Sequence, residues 1–202
     1  TPMILPKTIS ASTPENLDQA KVFRGIGWSA FHSDLADMEN DVFFLFKSSP
    51  YGSYSHSHAD QNSFYLSVGG YALAIPSGYY GPVYGAPHHA EWTRSSKANN
   101  TILVNGEGQT VRDFEAIGQI TNFKNKSKMA YVCGDAAPAY SGKLDTFDRH
   151  VMHVRPGLFV ILDDLKSPNP STFQWMLHAL NKMQLDNEQK TITMNRPEAK
   201  AR

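Results

Sequence analysis

Residues 56–60 read His-Ser-His-Ala-Asp. On an extended backbone alternate side chains share a face, so His56, His58 and Asp60 would point together at the entry to the apolar run that begins at Asn62. Imidazoles titrate near neutral pH and also ligate metals, so such a row suits general acid–base work or a metal site. A surface histidine pair with no ligand has the same spacing. Histidine concentrates in this region: His56, His58, His88 and His89, four of the eight, fall within 34 residues. Tyrosine is more skewed, with seven of nine between Tyr51 and Tyr84, and Trp92 and Arg94 follow closely. Flat apolar rings edged with hydrogen-bonding groups, together with a guanidinium fork, are what recognition of an acidic sugar chain requires. Tyr79, Tyr80, Tyr84, His88, His89, Trp92 and Arg94 are therefore candidate substrate-binding residues. Tyr65 and Tyr71 read as ordinary sheet residues, and His150, His153 and His178 as core or sheet-edge residues beside apolar strands.

The elements that must position these groups read as strands. Segments of four to ten residues rich in aromatic and β-branched types recur at 22–31, 41–47, 62–68, 71–75, 101–105, 117–123, 129–133, 149–154, 158–163, 172–178 and 191–194. Eleven strands suffice for a two-layer sandwich. Gly69-Gly70 is a hairpin signal, Asn105-Gly106 supplies positive φ, and Pro168-Asn169-Pro170 cannot continue a ladder. A single helix is expected over 13–21, with Thr13 as cap and Pro14 at its first position. The expected organisation is thus 1–21 as linker or residual helix and 22–202 as a β-sandwich domain. Residues 76–100 form a connection far longer than a hairpin needs, and long ordered loops in compact domains are usually functional.

Composition narrows the partners. Nineteen Lys and Arg balance nineteen Asp and Glu, so no net field attracts nucleic acid or anionic lipid. No apolar run is longer than that of Val42 to Phe46, five residues against the roughly 18–20 of a membrane span. The lone Cys133 can form no internal disulfide and reads as a packed core thiol. The chain opens on Thr1 and stops at Arg202 just after a strand-like segment, which reads as a piece cut from a longer protein.

Four motifs in order carry a resemblance: His56-Ser57-His58-Ala59-Asp60-Gln61-Asn62-Ser63-Phe64, Ala74-Ile75-Pro76-Ser77-Gly78-Tyr79-Tyr80, Trp92-Thr93-Arg94-Ser95-Ser96-Lys97-Ala98-Asn99-Asn100-Thr101, and Phe173-Gln174-Trp175-Met176-Leu177-His178. Together they resemble the C-terminal region of heparinase II/III-like polysaccharide lyases, and the oligo-alginate lyase branch looks closest. The resemblance implies an all-β, antiparallel β-sandwich of the galactose-mutarotase or super-sandwich kind, packed in complete enzymes against an N-terminal helical toroid. It also implies cleavage of an acidic, uronate-containing polysaccharide, alginate or heparin/heparan in type, by β-elimination, and a periplasmic or secreted location. His56 takes the place of the active-site histidine and Tyr84 that of a tyrosine reaching the substrate. The remaining catalytic partners would come from the helical part, so the 202-residue piece is expected to be inactive alone.

Family members with a structural zinc draw ligands from positions occupied here by His58, Pro76 and Asn99. Proline has no ligand atom and an amide is a poor zinc ligand, so no zinc or other cofactor is expected, with His58 a remnant. A replacement set of Asp60 with His88 or His89 is the alternative. Two other readings stand beside the lyase: a carbohydrate-binding sandwich without chemistry, and a metal-dependent double-stranded β-helix enzyme built on His56, His58 and a later ligand.

Overall fold

The computed structural model describes residues 16–78 and 84–195. In Val42–Lys47 the alternation of side chains decides which face is covered: Phe44 and Phe46 are buried, while Phe43, Leu45 and Lys47 look outward and are only partly covered. This strand, β3, is the centre of an antiparallel meander of β1 (Ala20–Phe23), β2 (Trp28–His32), β3, β4 (Ser63–Val68) and β5 (Tyr71–Ala74). After a three-residue strand β6 (Ile102–Val104), a second meander follows: β7 (Gln119–Lys126), β8 (Met129–Asp135), β9 (Thr146–Val154) and β10 (Leu158–Lys166). The inner faces of the two sheets meet in one core, with Phe31, Phe44, Phe46 and Phe64 against Ile120, Ala130, Val132 and Val151. Phe44 stacks on Phe64 and on Phe159, at centroid separations of 5.2 and 4.7 Å, so truncating it to alanine would cost about 3–5 kcal/mol. The protein is an antiparallel β-sandwich.

Thirteen strands are present among the described residues, because two elements differ from the sequence reading. The run at 22–31 is two strands: Gly27, at φ +68°, turns the chain where an added Cβ would lie 2.1 Å from the Ser48 carbonyl oxygen. Gln184–Asp186 is a strand (β12) paired with β13 (Thr191–Thr193), although its single apolar residue, Leu185, gives no alternation. The expected helix is absent from its described part. Residues 16–19 bend, and Ala20 and Lys21 pair with Phe31 and Ala30, because burying Ala20 in the sheet outweighs a helix too short to be stable. Positions 13–15 lie outside the described residues.

A third small sheet joins β6 to β11 (Phe173–Trp175) and brings the chain past residue 175 back to β5 through an Ala74–Ala179 bridge. Gly69-Gly70, at φ +57° and +77°, and Asn105-Gly106, at +54° and +81°, form the expected tight turns. Cys133 is buried, and His153 is fully buried between Phe31 and Phe159. His150 accepts a hydrogen bond from, or donates one to, the Tyr131 hydroxyl at 2.7 Å within the second sheet, where burial raises the phenol to about 12. These residues are structural, as their place beside apolar strands suggested.

Candidate functional site

His56, Tyr84 and His89 form a row of three rings. The His56 and Tyr84 centroids lie 4.5 Å apart and those of Tyr84 and His89 4.8 Å apart, with Tyr84 53% exposed. The row joins two stretches of chain. His56 sits on a turn made by positive φ at Ser55 and by Ser57 N–H donating to the Tyr54 carbonyl at 3.0 Å. Tyr84 donates its hydroxyl to the Ser55 carbonyl at 3.1 Å, tying the long connection to that turn. His89 begins a single helical turn, His89–Thr93, of π type. Gly85 N–H donates to His89 Nδ1 at 3.2 Å, which places a neutral ring's proton on Nε2. Burial, then the neighbouring positive charges of Arg94 and Arg112, lowers the His89 pKa below the ordinary histidine value.

The expected face of His56, His58 and Asp60 does not form, because the chain at 54–57 is a turn rather than a strand. His56 is exposed beside Tyr84, whereas Asp60 forms an ion pair with Lys47 on the outer face of the first sheet. His58 lies between these surroundings, and burial above all holds its pKa below the ordinary histidine value, with Asp60 acting in the opposite sense.

Several candidate binding residues turn out to hold the loop. Arg94 is 1% exposed, so its guanidinium is not presented to a substrate: it donates to the carbonyls of Ser53 at 3.0 Å and Ser57 at 3.4 Å, clamping both ends of the turn that carries His56. Trp92 is half-buried, with its indole N–H 3.4 Å from Ser77 Oγ. Gly78, at φ +99°, lets the chain pass within 2.6 Å of Trp92 Cδ1 measured from a built Cβ, a space no other residue would leave. Its carbonyl accepts from Thr93 Oγ1 at 2.8 Å and from His88 Nε2 at 3.2 Å, so His88 is an exposed tether. Tyr79 and Tyr80 lie outside the described residues.

A buried polar frame, which the sequence reading missed, carries these loops. Gln61 and Gln109 exchange two hydrogen bonds at 2.8 Å each, and Gln61 Oε1 accepts from Ser49 N–H at 2.6 Å. Asn62 donates to the carbonyls of Gly134 and Phe147. Arg149, fully buried, binds Asp163 through two bonds of 2.7 and 2.8 Å and donates to the carbonyls of Asn62 at 2.6 Å and Asn100 at 2.9 Å. One guanidinium thus pins the ends of both site-bearing segments. The signal available in sequence was a Gln-Asn pair directly before an apolar strand, polar residues that burial permits only when they are fully bonded.

The positions that the motif resemblance would assign to zinc offer poor ligands here. Pro76 offers no ligand atom, and Asn99 Nδ2 is committed to the Ser95 carbonyl at 2.8 Å. No group of three or more His, Cys, Asp or Glu among the described residues is arranged to hold a metal ion.

Residues 16–201 match the family described as Heparinase II/III-like, C-terminal. The chain belongs to that family. Similar solved structures include heparan sulfate lyase HepC from Pedobacter heparinus, with a TM-score of 0.72 and 16% identity over 88% of this chain and 27% of that one. A heparinase III gene product with methylated lysines gives a TM-score of 0.70 and 17% identity over 87% of this chain and 26% of that one. The chain therefore spans about a quarter of the length of these neighbours. By sequence alone, no curated protein matches it. No described helix is long and apolar enough to cross a membrane.

Proposed function

We propose that the chain is the β-sandwich part of a polysaccharide lyase that cleaves a uronate-containing polysaccharide by β-elimination, with His56 and Tyr84 at the reacting sugar. The observation that carries this reading is the ring row His56–Tyr84–His89, which joins the turn at 54–57 to the 76–100 connection, both within the residues matched to the family. In such a reaction a base removes the uronate C5 proton, the C4–C5 double bond forms, and the C4–O4 bond breaks as O4 takes a proton. Exposed groups that titrate or donate, held by a rigid frame, suit the two proton transfers. His56 is a ring nitrogen base or acid at the surface, and the Tyr84 hydroxyl is released for chemistry when its bond to the Ser55 carbonyl is exchanged for one to substrate. His89 Nε2–H is a donor toward a sugar oxygen, and His88 and Trp92 shape the loop from behind.

The solved neighbours include a heparan sulfate lyase, and the motif resemblance leans to oligo-alginate lyases, so heparan sulfate and alginate are the two polymers to test. Zinc has no part in this reading. An enzyme acting on such polymers belongs in the periplasm or outside the cell. The chain supplies one side of the site, and an N-terminal helical domain would supply the other, so it is expected to show no turnover by itself. The test measures the ultraviolet absorbance of unsaturated uronate with the full-length protein and with the chain alone, on both polymers. Product from the full-length protein only is the expected result. No product on either polymer would leave the alternative of a non-catalytic carbohydrate-binding module.

A further inference from the structure

The outer face of the first sheet carries a second chamber. The ladder register places Trp28 beside Lys47 and Lys47 beside Ser63, with Leu45 beside Tyr65 in the next row. Ile75–Gly78 and His178–Leu180 stand over these rows as a wall, joined by Ile75 N–H donating to the His178 carbonyl at 3.1 Å. The cavity is half open to solvent and has a volume of about 600 Å³, within the ~300–1,000 Å³ of small-molecule sites. Its described lining includes neither His56, Tyr84 nor His89. It adjoins them nonetheless: His58 lies within electrostatic reach of both Asp60 and His89, and the wall residue Gly78 is the acceptor for His88 and Thr93.

The lining selects a chemical class. Trp28 (39% exposed), Leu45, Tyr65, Ile75 and Pro76 give apolar and aromatic surface, yet a Lys47–Asp60 ion pair lies among them with its side chains only 18% and 14% exposed. A wholly apolar occupant would strip the remaining water from that pair and return no hydrogen bonds. An anionic group meets a lysine whose charge Asp60 already balances. A pyranose ring satisfies both requirements, because its C–H face packs on an indole while neighbouring hydroxyls donate to a carboxylate and accept from an ammonium. Ser63 and Ser77 add hydroxyls to the lining.

We propose that this chamber is a sugar-binding subsite that holds, through its hydroxyls, a pyranose unit flanking the unit placed at His56 and Tyr84. The inference rests on the polysaccharide reading above but not on turnover. The chain is mixed with a saturating heparan-derived or alginate-derived hexasaccharide, exposed tryptophans are oxidised with N-bromosuccinimide, and each site is mapped by mass spectrometry. Trp28 is expected to be protected at least fivefold by one of the two, while Trp175, 45% exposed and outside the chamber, stays reactive as an internal control. In parallel, Trp28→Ala should weaken hexasaccharide binding about tenfold and disaccharide binding much less, with a thermal melt to establish that the variant folds. If the hexasaccharide binds and Trp28 oxidises as fast as in its absence, the subsite is wrong whatever the fate of the lyase reading. If Trp28 is protected but the full-length protein forms no unsaturated product, the subsite stands and the lyase reading falls. If neither hexasaccharide binds, the subsite falls, and the lyase reading is decided separately by the product assay on the full-length protein.

Discussion

Replacing Asp163 by alanine should be the most damaging single change outside the aromatic core. Arg149 is fully buried and, among the described residues, Asp163 supplies its carboxylate partner, through bonds of 2.7 and 2.8 Å; the other Arg149 donors go to neutral carbonyls. Removing the carboxylate leaves an uncompensated buried guanidinium, a loss of about 3–5 kcal/mol. Against a total stability of roughly 5–15 kcal/mol this is a large fraction. At about 2–4 °C per kcal/mol for a chain of this length, the melting temperature should fall by roughly 6–20 °C. The Trp175 indole N–H, which donates to Asp163 Oδ2 at 3.0 Å, loses its partner as well. The assay is thermal and urea unfolding of wild type, Asp163→Ala, Arg149→Met and the double variant Arg149→Met/Asp163→Ala. The double variant should lose less than the sum of the singles, since no lone charge remains, yet it should not return to wild type because the carbonyls of Asn62 and Asn100 lose their donor. A fall under about 2 °C for Asp163→Ala would show that this pair does not hold the two site-bearing segments.

Three further outcomes follow from the same frame. Arg94→Lys keeps the charge but cannot span the carbonyls of Ser53 and Ser57, so it should cost about 1.5–3 kcal/mol and lower the kcat of the full-length enzyme more than it raises KM; an unchanged kcat would remove Arg94 from the positioning of His56. His58, His153 and His178 all have pKa values lowered from 6.5, chiefly by burial, so above pH 6.5 they are neutral folded or unfolded and have no effect; as pH falls below it the unfolded chain takes up protons that the folded one resists. Urea unfolding at pH 7.5, 6.5 and 5.5 should show stability falling over the last interval, and a flat profile would contradict that. Elemental analysis after dialysis against a mild chelator should find no stoichiometric zinc and an unchanged melt, whereas one zinc per chain with a melt that drops on stripping would mean that neighbours of His58 replace Pro76 and Asn99.

Strands and turns were legible in the sequence where alternation or turn chemistry is strong: Phe44 and Phe46 inward on β3, and positive φ at Gly69-Gly70 and Asn105-Gly106. They were not where pairing alone decides, as at Gln184–Asp186, or where a close approach such as Gly27 to Ser48 splits an apolar run. At the site, residue type singled out the loops but not the direction of each side chain. His56 and Tyr84 meet because the turn at Ser55 and a hydroxyl-to-carbonyl bond bring them together, while Asp60 goes to Lys47 and Arg94 turns inward. Period-two reasoning fails across a turn, and a guanidinium suited to a substrate carboxylate is equally suited to orphan backbone carbonyls.

The central claim is that His56 and Tyr84 act on a uronate sugar, and the direct measurement is the rate of unsaturated uronate formation by the full-length protein carrying His56→Ala or Tyr84→Phe. Both side chains are exposed, so the melting temperature should hardly move, while turnover on heparan sulfate or alginate should fall by roughly two to four orders of magnitude. Wild-type activity that survives both substitutions within a few-fold would contradict the account.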